Sequence, residues 1–351
     1  MIKSLEVKNF RCYKNLYLRD LKHFNIVVGE GGSGKTSLLE AIFLVAGASP
    51  EVWMRLRQWR GFSPIFRLSG TRDSYESLFR DIFHNFEKHK PASIRMVEYN
   101  DRARTLRIFY PKQDGYSPGG KNSNDAQENA YLVEPITFGW TTKGKEQRSR
   151  VDVKDGLLRF SGFNNVYPVW FTSPAINEGL TVATLFSELS LKKKATNLVN
   201  AIRTLYPNVQ DVSVESIAGE LALCVSIDDV PEKLPIGTIS SGLTHFLSIM
   251  VAIFTNPFGV LLIDEFEVGF YYANLEKVLE VIFSFCQEHN VQVIASTHSY
   301  EFLRTLLPIM KQRQGTEYEF ALLRTQRTGS ESAIKELGDP SAAVESNFEV
   351  R

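Results

Sequence analysis

Gly29-Glu30-Gly31-Gly32-Ser33-Gly34-Lys35-Thr36 decides the fold. Before it runs Phe24-Asn-Ile-Val-Val28, a nearly continuous apolar stretch of the kind buried on both faces of a parallel sheet. After it, from Ser37 to Val45, apolar residues recur at helical spacing. Strand, glycine-rich loop and helix together form the setting that a phosphate-binding loop requires. The glycines let the backbone N–H groups of residues 29–34 turn toward a phosphate at the positive end of the following helix. Lys35 is expected to reach the β and γ oxygens, Thr36 to ligate Mg²⁺, and Ser37 to complete the first turn of the site. A glycine-rich turn without a ligand is the plainer reading, and the flanking strand and helix argue against it.

Three further motifs follow it in the chain. Val260-Leu-Leu-Ile-Asp-Glu265 reads as a buried strand ending in two carboxylates. Asp264 is placed to hold Mg²⁺ through water, and Glu265 to orient or deprotonate an attacking water. Ser240-Ser241-Gly242 opens an apolar helix. Either serine can cap it, and a helix start with a close-approach glycine is also an anion site. Residues 29–36 already cradle the phosphates, so this second anion site makes most sense against the γ-phosphate of a partner molecule. Val293-Ile-Ala-Ser-Thr-His298 ends a strand at the edge where sheet ligands gather. A lone histidine is more often structural, but its place after the acidic strand points to a γ-phosphate sensor.

The chain has 351 residues, 43% of them hydrophobic, enough for a sizeable core in one or two domains. Lys+Arg 40 balances Asp+Glu 40, so no overall attraction to nucleic acid is expected. Cys12, Cys224 and Cys286 are scattered, without zinc spacing, and suggest unpaired thiols in a reducing compartment. The opening residues lack the apolar run of a signal peptide, and no stretch is long enough to span a bilayer. A cytoplasmic protein without a membrane partner is expected.

The expected class is α/β, a P-loop NTPase with a mixed sheet. One head is expected from both chain ends, about 1–50 and 165–351, with an inserted, partly helical lobe over about 51–164. Within that lobe, residues 94–99 and 105–110 read as strands, and 114–130, rich in Gly, Ser and Asn, as a mobile loop. Residues 182–205 read as mostly helical. Residues 212–217 and 221–227 read as a hairpin.

With these motifs in place, the chain resembles the ABC-type ATPases of the RecF, SMC and OLD group, most of all OLD-like AAA-family proteins. The likeness includes the opening Ile2-Lys-Ser-Leu-Glu-Val-Lys-Asn-Phe-Arg11, and Leu262-Ile-Asp-Glu-Phe-Glu-Val-Gly269. It implies ATP and Mg²⁺ as cofactors, and a head-to-tail dimer or larger homo-oligomer. Two ATP molecules would sit between the loop of one subunit and Ser240–Gly242 of the other. Lys35, Glu265 and His298 would then be catalytic, with Ser240 and Gly242 acting in trans and Arg11 near the nucleotide. Gly31 stands where relatives usually have Asn, and Tyr271 where they often have His. No glutamine follows residues 167–171, and Thr172 or Ser173 is the candidate for its place.

Only about fifty residues follow His298, too few for a Toprim nuclease domain, and no heptads suggest an SMC coiled coil. The first functional reading is therefore an ATP-hydrolysing dimer switch controlling a separately encoded effector, a nuclease or toxin, in antiphage defence. The second is a RecF-like ATPase clamping DNA, with nucleic acid as partner. The third is an ATP-binding scaffold with negligible hydrolysis. Arg55, Arg57 and Arg60 among Trp53 and Trp59, Lys192–Lys194, and Arg102, Arg104 and Arg107 read as solvated faces or partner-docking patches more readily than as a nucleic-acid groove.

Overall fold

The computed structural model describes residues 1–62, 72–111, 135–154, 156–174, 176, 179–316 and 318–337. The loop expected over 114–130 lies outside them. Two six-stranded sheets organise the chain. The first is antiparallel throughout, in the order Tyr13–Leu18, Ile2–Phe10, Ala92–Glu98, Ala103–Phe109, Thr137–Thr142 and Lys145–Arg150. The second runs Val169–Thr172, Val260–Ile263, Gln292–Ser296, Phe24–Val28, Phe320–Thr328 and Glu331–Leu337. Its first five strands are parallel and its last is the return arm of a hairpin.

The apolar runs explain this second sheet. Every residue of Phe24–Val28, Val260–Ile263 and Gln292–Ser296 is buried. Alternate side chains enter different cores. Val27, Leu262 and Ile294 face the helix Lys35–Ala46 and the antiparallel sheet beyond it. Ile26, Val28, Leu261, Ile263, Val293 and Ala295 face the helices Ser241–Thr255, Leu275–Glu288 and Tyr300–Gln312. The helix Lys35–Ala46 is therefore sandwiched between two sheets, and only Thr36 and Ser37 of its residues escape full burial. Two buried amides tie the layers together. Gln292 accepts from Ile2 N (2.6 Å) and donates to Ile2 O and Lys22 O (2.8 Å each), and Asn25 donates to Lys22 O (2.7 Å) and Val293 O (3.1 Å). With partners on all sides, these polar groups fix strand register without an unsatisfied buried atom.

Strands Ala92–Glu98 to Lys145–Arg150 extend the sheet that Ile2–Phe10 begins, and they share its core. The described part of 51–164 is thus continuous with the head in both sheet and core. On the far side, helices Gly179–Leu191 and Ala195–Leu205 pack with the hairpin Val209–Ile217 and Glu220–Ile227. The single helical stretch expected over 182–205 is broken at Lys193, whose φ of +58° lies in the left-handed region. No helix among the described residues is long and apolar enough to cross a membrane.

Candidate nucleotide site

The loop 29–34 leaves the end of Phe24–Val28 and enters the helix at Lys35. Gly29 has φ +144° and lies against the neighbouring strand: a Cβ there would sit 2.2 Å from Thr325 Oγ1 and 2.4 Å from Thr325 O. No side chain caps the helix, so its first-turn N–H groups are open to an anion. Ser33 N donates to Glu30 O (3.2 Å), and Ser33 Oγ shares a 2.5 Å hydrogen bond with Thr325 Oγ1. Tyr13 OH donates to Gly34 O (3.0 Å). Around Gly31 a Cβ would meet nothing within 4 Å, so glycine is not sterically required at this departure from the group's pattern. Ser37 continues the first turn, partly exposed.

Lys35 is only 4% exposed. Its Nζ donates to Gly29 O (2.6 Å) and Glu30 O (2.9 Å) and lies 3.3 Å from His298 Nδ1. An ammonium has no lone pair, so Nδ1 accepts and the imidazole proton sits on Nε2. Burial lowers the Lys35 pKa to about 8, against the opposing pull of Asp264, Glu265 and Glu267. Thr36 Oγ1 donates to Asp264 Oδ2 (2.9 Å), and Ser296 Oγ donates to Asp264 Oδ1 (2.5 Å). Ser296 Oγ in turn accepts from Glu265 N (2.9 Å), and Glu267 Oε1 accepts from His298 N (3.0 Å). Three parallel strand ends thus converge through hydrogen bonds on one spot. Glu265 takes φ +53°, uncommon for a residue with a side chain, and is exposed at the mouth of the site.

The pair of oxygens from Thr36 and Asp264 suits a hard divalent cation, which prefers oxygen ligands. Sequence reasoning missed Tyr13, Ser296, Glu267 and Thr325. Ser296 was within reach, because it precedes Thr297-His298 on a strand parallel to the one ending in Asp264. Thr325 carries no local signal; only the pairing of Phe320–Thr328 with Phe24–Val28 brings it to the loop.

Arg11, expected near the nucleotide, makes its described contacts with side chains of the head. Its Nε lies 2.8 Å from Glu40 Oε2 and its Nη1 3.8 Å from Asp81 Oδ2, while its guanidinium covers the Trp53 ring at 4.9 Å. Glu40 is 2% exposed and also receives Arg60 Nε at 2.7 Å. A buried carboxylate needs compensating cations, and Arg11 and Arg60 supply them to Glu40. The neighbouring Cys12 lies against Gly34. Arg57 joins the same network through Asp81 at 3.1 Å, so the basic and aromatic cluster of residues 53–60 is in large part internal packing.

Ser240, Ser241 and Gly242 open the helix Ser241–Thr255. Ser240 is the cap, its Oγ accepting from Leu243 N (3.3 Å). Gly242 fits against the loop after Glu265: a Cβ there would lie 2.2 Å from Gly269 O. His245, one turn on, donates Nδ1–H to Val268 O (3.0 Å) and stacks on Phe270 at 5.3 Å; burial lowers its pKa and keeps it neutral. Among the described residues, no hydrogen bond joins Ser240, Ser241 or Gly242 to the phosphate loop. Thr172, a candidate for the missing glutamine, shares a 3.3 Å hydrogen bond with Ser248 Oγ, and its carbonyl accepts from Asp264 N (2.9 Å). It buttresses the acidic strand end from behind.

The family described as "AAA domain, putative AbiEii toxin, Type IV TA system" matches residues 24–304, which contain the loop, the acidic strand end, the capped helix and His298. The chain belongs to this AAA-domain family. Among its relatives is an ATP/GTP phosphatase of Helicobacter pylori, 21% identical over 337 residues and covering 89% of each chain. An OLD nuclease of Thermus scotoductus is 47% identical over 60 residues, 17% of this chain and 11% of its own. RecF of Lachnoclostridium phytofermentans is 50% identical over 46 residues, 13% of each. In solved structures, an Smc head domain of Pyrococcus furiosus matches over 96% of each chain at 13% identity, with a TM-score of 0.52. The fold is that of an ABC-type ATPase head, as the order of the motifs implies. The ATPase expectation agrees with the family and with these relatives.

Proposed function

We propose that this ATPase of the RecF, Smc and OLD type is a dimer switch whose site is completed by Ser240–Gly242 of a second copy and whose output is carried by a separate effector. One observation carries the reading. A capped helix start with open N–H groups and a glycine in close backbone contact lies beside the loop that follows Glu265, unattached to its own phosphate loop. Antiphage defence, with a nuclease or toxin as effector, is the setting that the resemblance implies.

In this reading Lys35 neutralises the phosphate chain, and the N–H groups of the loop wrap it. Thr36 and Asp264 hold Mg²⁺, which supplies charge neutralisation when bound. Glu265 takes the proton of the attacking water, with its backbone N anchored on Ser296. His298 is oriented by Glu267 through its backbone and by Lys35 through Nδ1, which leaves Nε2 to face the γ-phosphate in this reading.

A RecF-like role on nucleic acid has its own support. The register of the antiparallel sheet puts Lys8, Ser93, Arg107, Gly139 and Arg148 on one outer face, with the exposed Arg95 and Arg150 beside them. Arg107 therefore sits in a row with Lys8 and Arg148, which pair with Glu6 (2.6 Å) and Glu146 (2.8 Å) on the same face. Arg104 points inward and is pinned by Val45 O, Gly47 O and Asn165 O. Turnover stimulated by DNA, with a steep loss on adding salt, would favour this role over the effector switch.

The deciding experiment compares ATP turnover and oligomeric state in wild type and Glu265→Gln. Loss of the general base is expected to slow turnover by about 10²–10⁴-fold while ATP is retained and a dimer accumulates. Equal inactivity of the two proteins would favour the scaffold reading instead.

A further inference from the structure

The strand Phe24–Val28, from which the loop springs, lies between Gln292–Ser296 and Phe320–Thr328. Asp264, Glu265 and His298 all lie on the first side. On the other side, Phe320–Thr328 is fastened to the loop by a buried side chain. Thr325 Oγ1 donates to Val28 O (3.0 Å), meets Ser33 Oγ and fills the space beside Gly29. Arg327 lies two residues further on, on the same face of the strand. Its Nη1 donates to Gly32 O (3.3 Å) and its Nε to Gly329 O (3.1 Å). It is exposed and forms no ion pair with a described residue. The hairpin that carries it is held to the N-terminal turn by Ser332 N donating to Cys12 O (2.9 Å) and by Lys14 with Glu331 (2.9 Å). A guanidinium has five N–H donors, and two carbonyls leave the others open at the mouth of the loop.

We propose that Arg327 binds the phosphate chain of the nucleoside di- or triphosphate held by the loop, from the side opposite His298. The loop then becomes a two-sided cradle, with Lys35 beneath the phosphates and Arg327 as a second, braced cation. The two carbonyl contacts hold the long side chain in place before the ligand arrives, which reduces the ordering cost of binding. The inference rests on the nucleotide-site reading and adds a residue outside all four motifs.

Calorimetric titration of MgADP into wild type, Arg327→Lys, Arg327→Gln and Arg327→Ala tests it. A charge-assisted contact to phosphate predicts that Ala and Gln raise Kd roughly 5- to 10-fold and Lys only about 2- to 3-fold. Melting without nucleotide should be unchanged in all four. Glutamine can still donate to Gly32 O or Gly329 O, so wild-type affinity in Arg327→Gln would mean the arginine only braces the hairpin and would overturn the proposal. Affinity within about 2-fold of wild type in Arg327→Ala would overturn it as well. Failure of wild type itself to bind MgADP would overturn the nucleotide-site reading and this inference together.

Discussion

The phosphate loop and the Ser240–Gly242 helix start, the two halves of the proposed site, are held in opposite ways. The loop is linked to the rest of its site within one chain: Lys35 to His298, Thr36 to Asp264, Asp264 to Ser296, and Ser33 to Thr325. Ser240–Gly242 is tied to Gly269 and, through His245, to Val268, on the loop that follows Glu265. One half is preorganised for phosphate. The other contacts the loop that follows Glu265, the proposed general base. In the proposed shared site, engagement of one half would be felt at the glutamate of the other site.

Substitutions can break the two halves separately. Gly29→Ala strikes the loop hardest. Its φ of +144° disfavours a side chain, and the new Cβ would lie 2.2 Å from Thr325 Oγ1. A cost of about 3 kcal/mol is expected from strain and overpacking, with ADP binding lost in titration. Gly242→Ala should act on the other half. Its Cβ would meet Gly269 O at 2.2 Å, at a cost of about 1–3 kcal/mol in denaturant unfolding. ADP affinity should stay near wild type while ATP turnover falls. A loss of ADP affinity equal to that of Gly29→Ala would mean that the two halves are not separate.

The smallest effect is a pH dependence confined to the loop. Burial puts the Lys35 pKa at about 8, below the 10.5 of an exposed lysine. In the nucleotide-free protein, Lys35 should lose its proton as pH rises through 8, so ADP affinity should fall roughly 5- to 10-fold between pH 7.5 and 9. The stability effect has the opposite sign. Between pH 8 and 10.5 the unfolded chain binds more protons than the folded one, so the cost of burying this charge is relieved as pH rises. Lys35→Met should abolish both trends.

Much of this comparison was legible in the sequence, and the reason is physical. Phe24–Val28, Val260–Ile263 and Gln292–Ser296 are buried on both faces, so their composition alone announces a parallel sheet. Ser240 followed by an apolar helix announces its cap. Lys145–Arg150, KEQRSR, carries no such signal. It is an exposed edge strand whose identity comes from pairing with Thr137–Thr142. The pairing of Arg11 with Glu40 was not legible, because Glu40 lies on the helix after the loop and meets Arg11 only once that helix is packed. The strand carrying Thr325 and Arg327 reaches the loop from about three hundred residues away in sequence. Local spacing cannot report such neighbours.

The shared site is tested most directly by mixing two inactive proteins, Lys35→Ala, which lacks a working phosphate loop, and Ser240→Arg, which lacks a working helix start. A mixed head-to-tail dimer contains one intact composite site, formed by the loop of the Ser240→Arg chain and the helix start of the Lys35→Ala chain. Half of randomly mixed dimers are mixed, and each has one good site of two, so ATP turnover should return to about a quarter of wild type. A mixture no more active than its two components would contradict a site built from two copies.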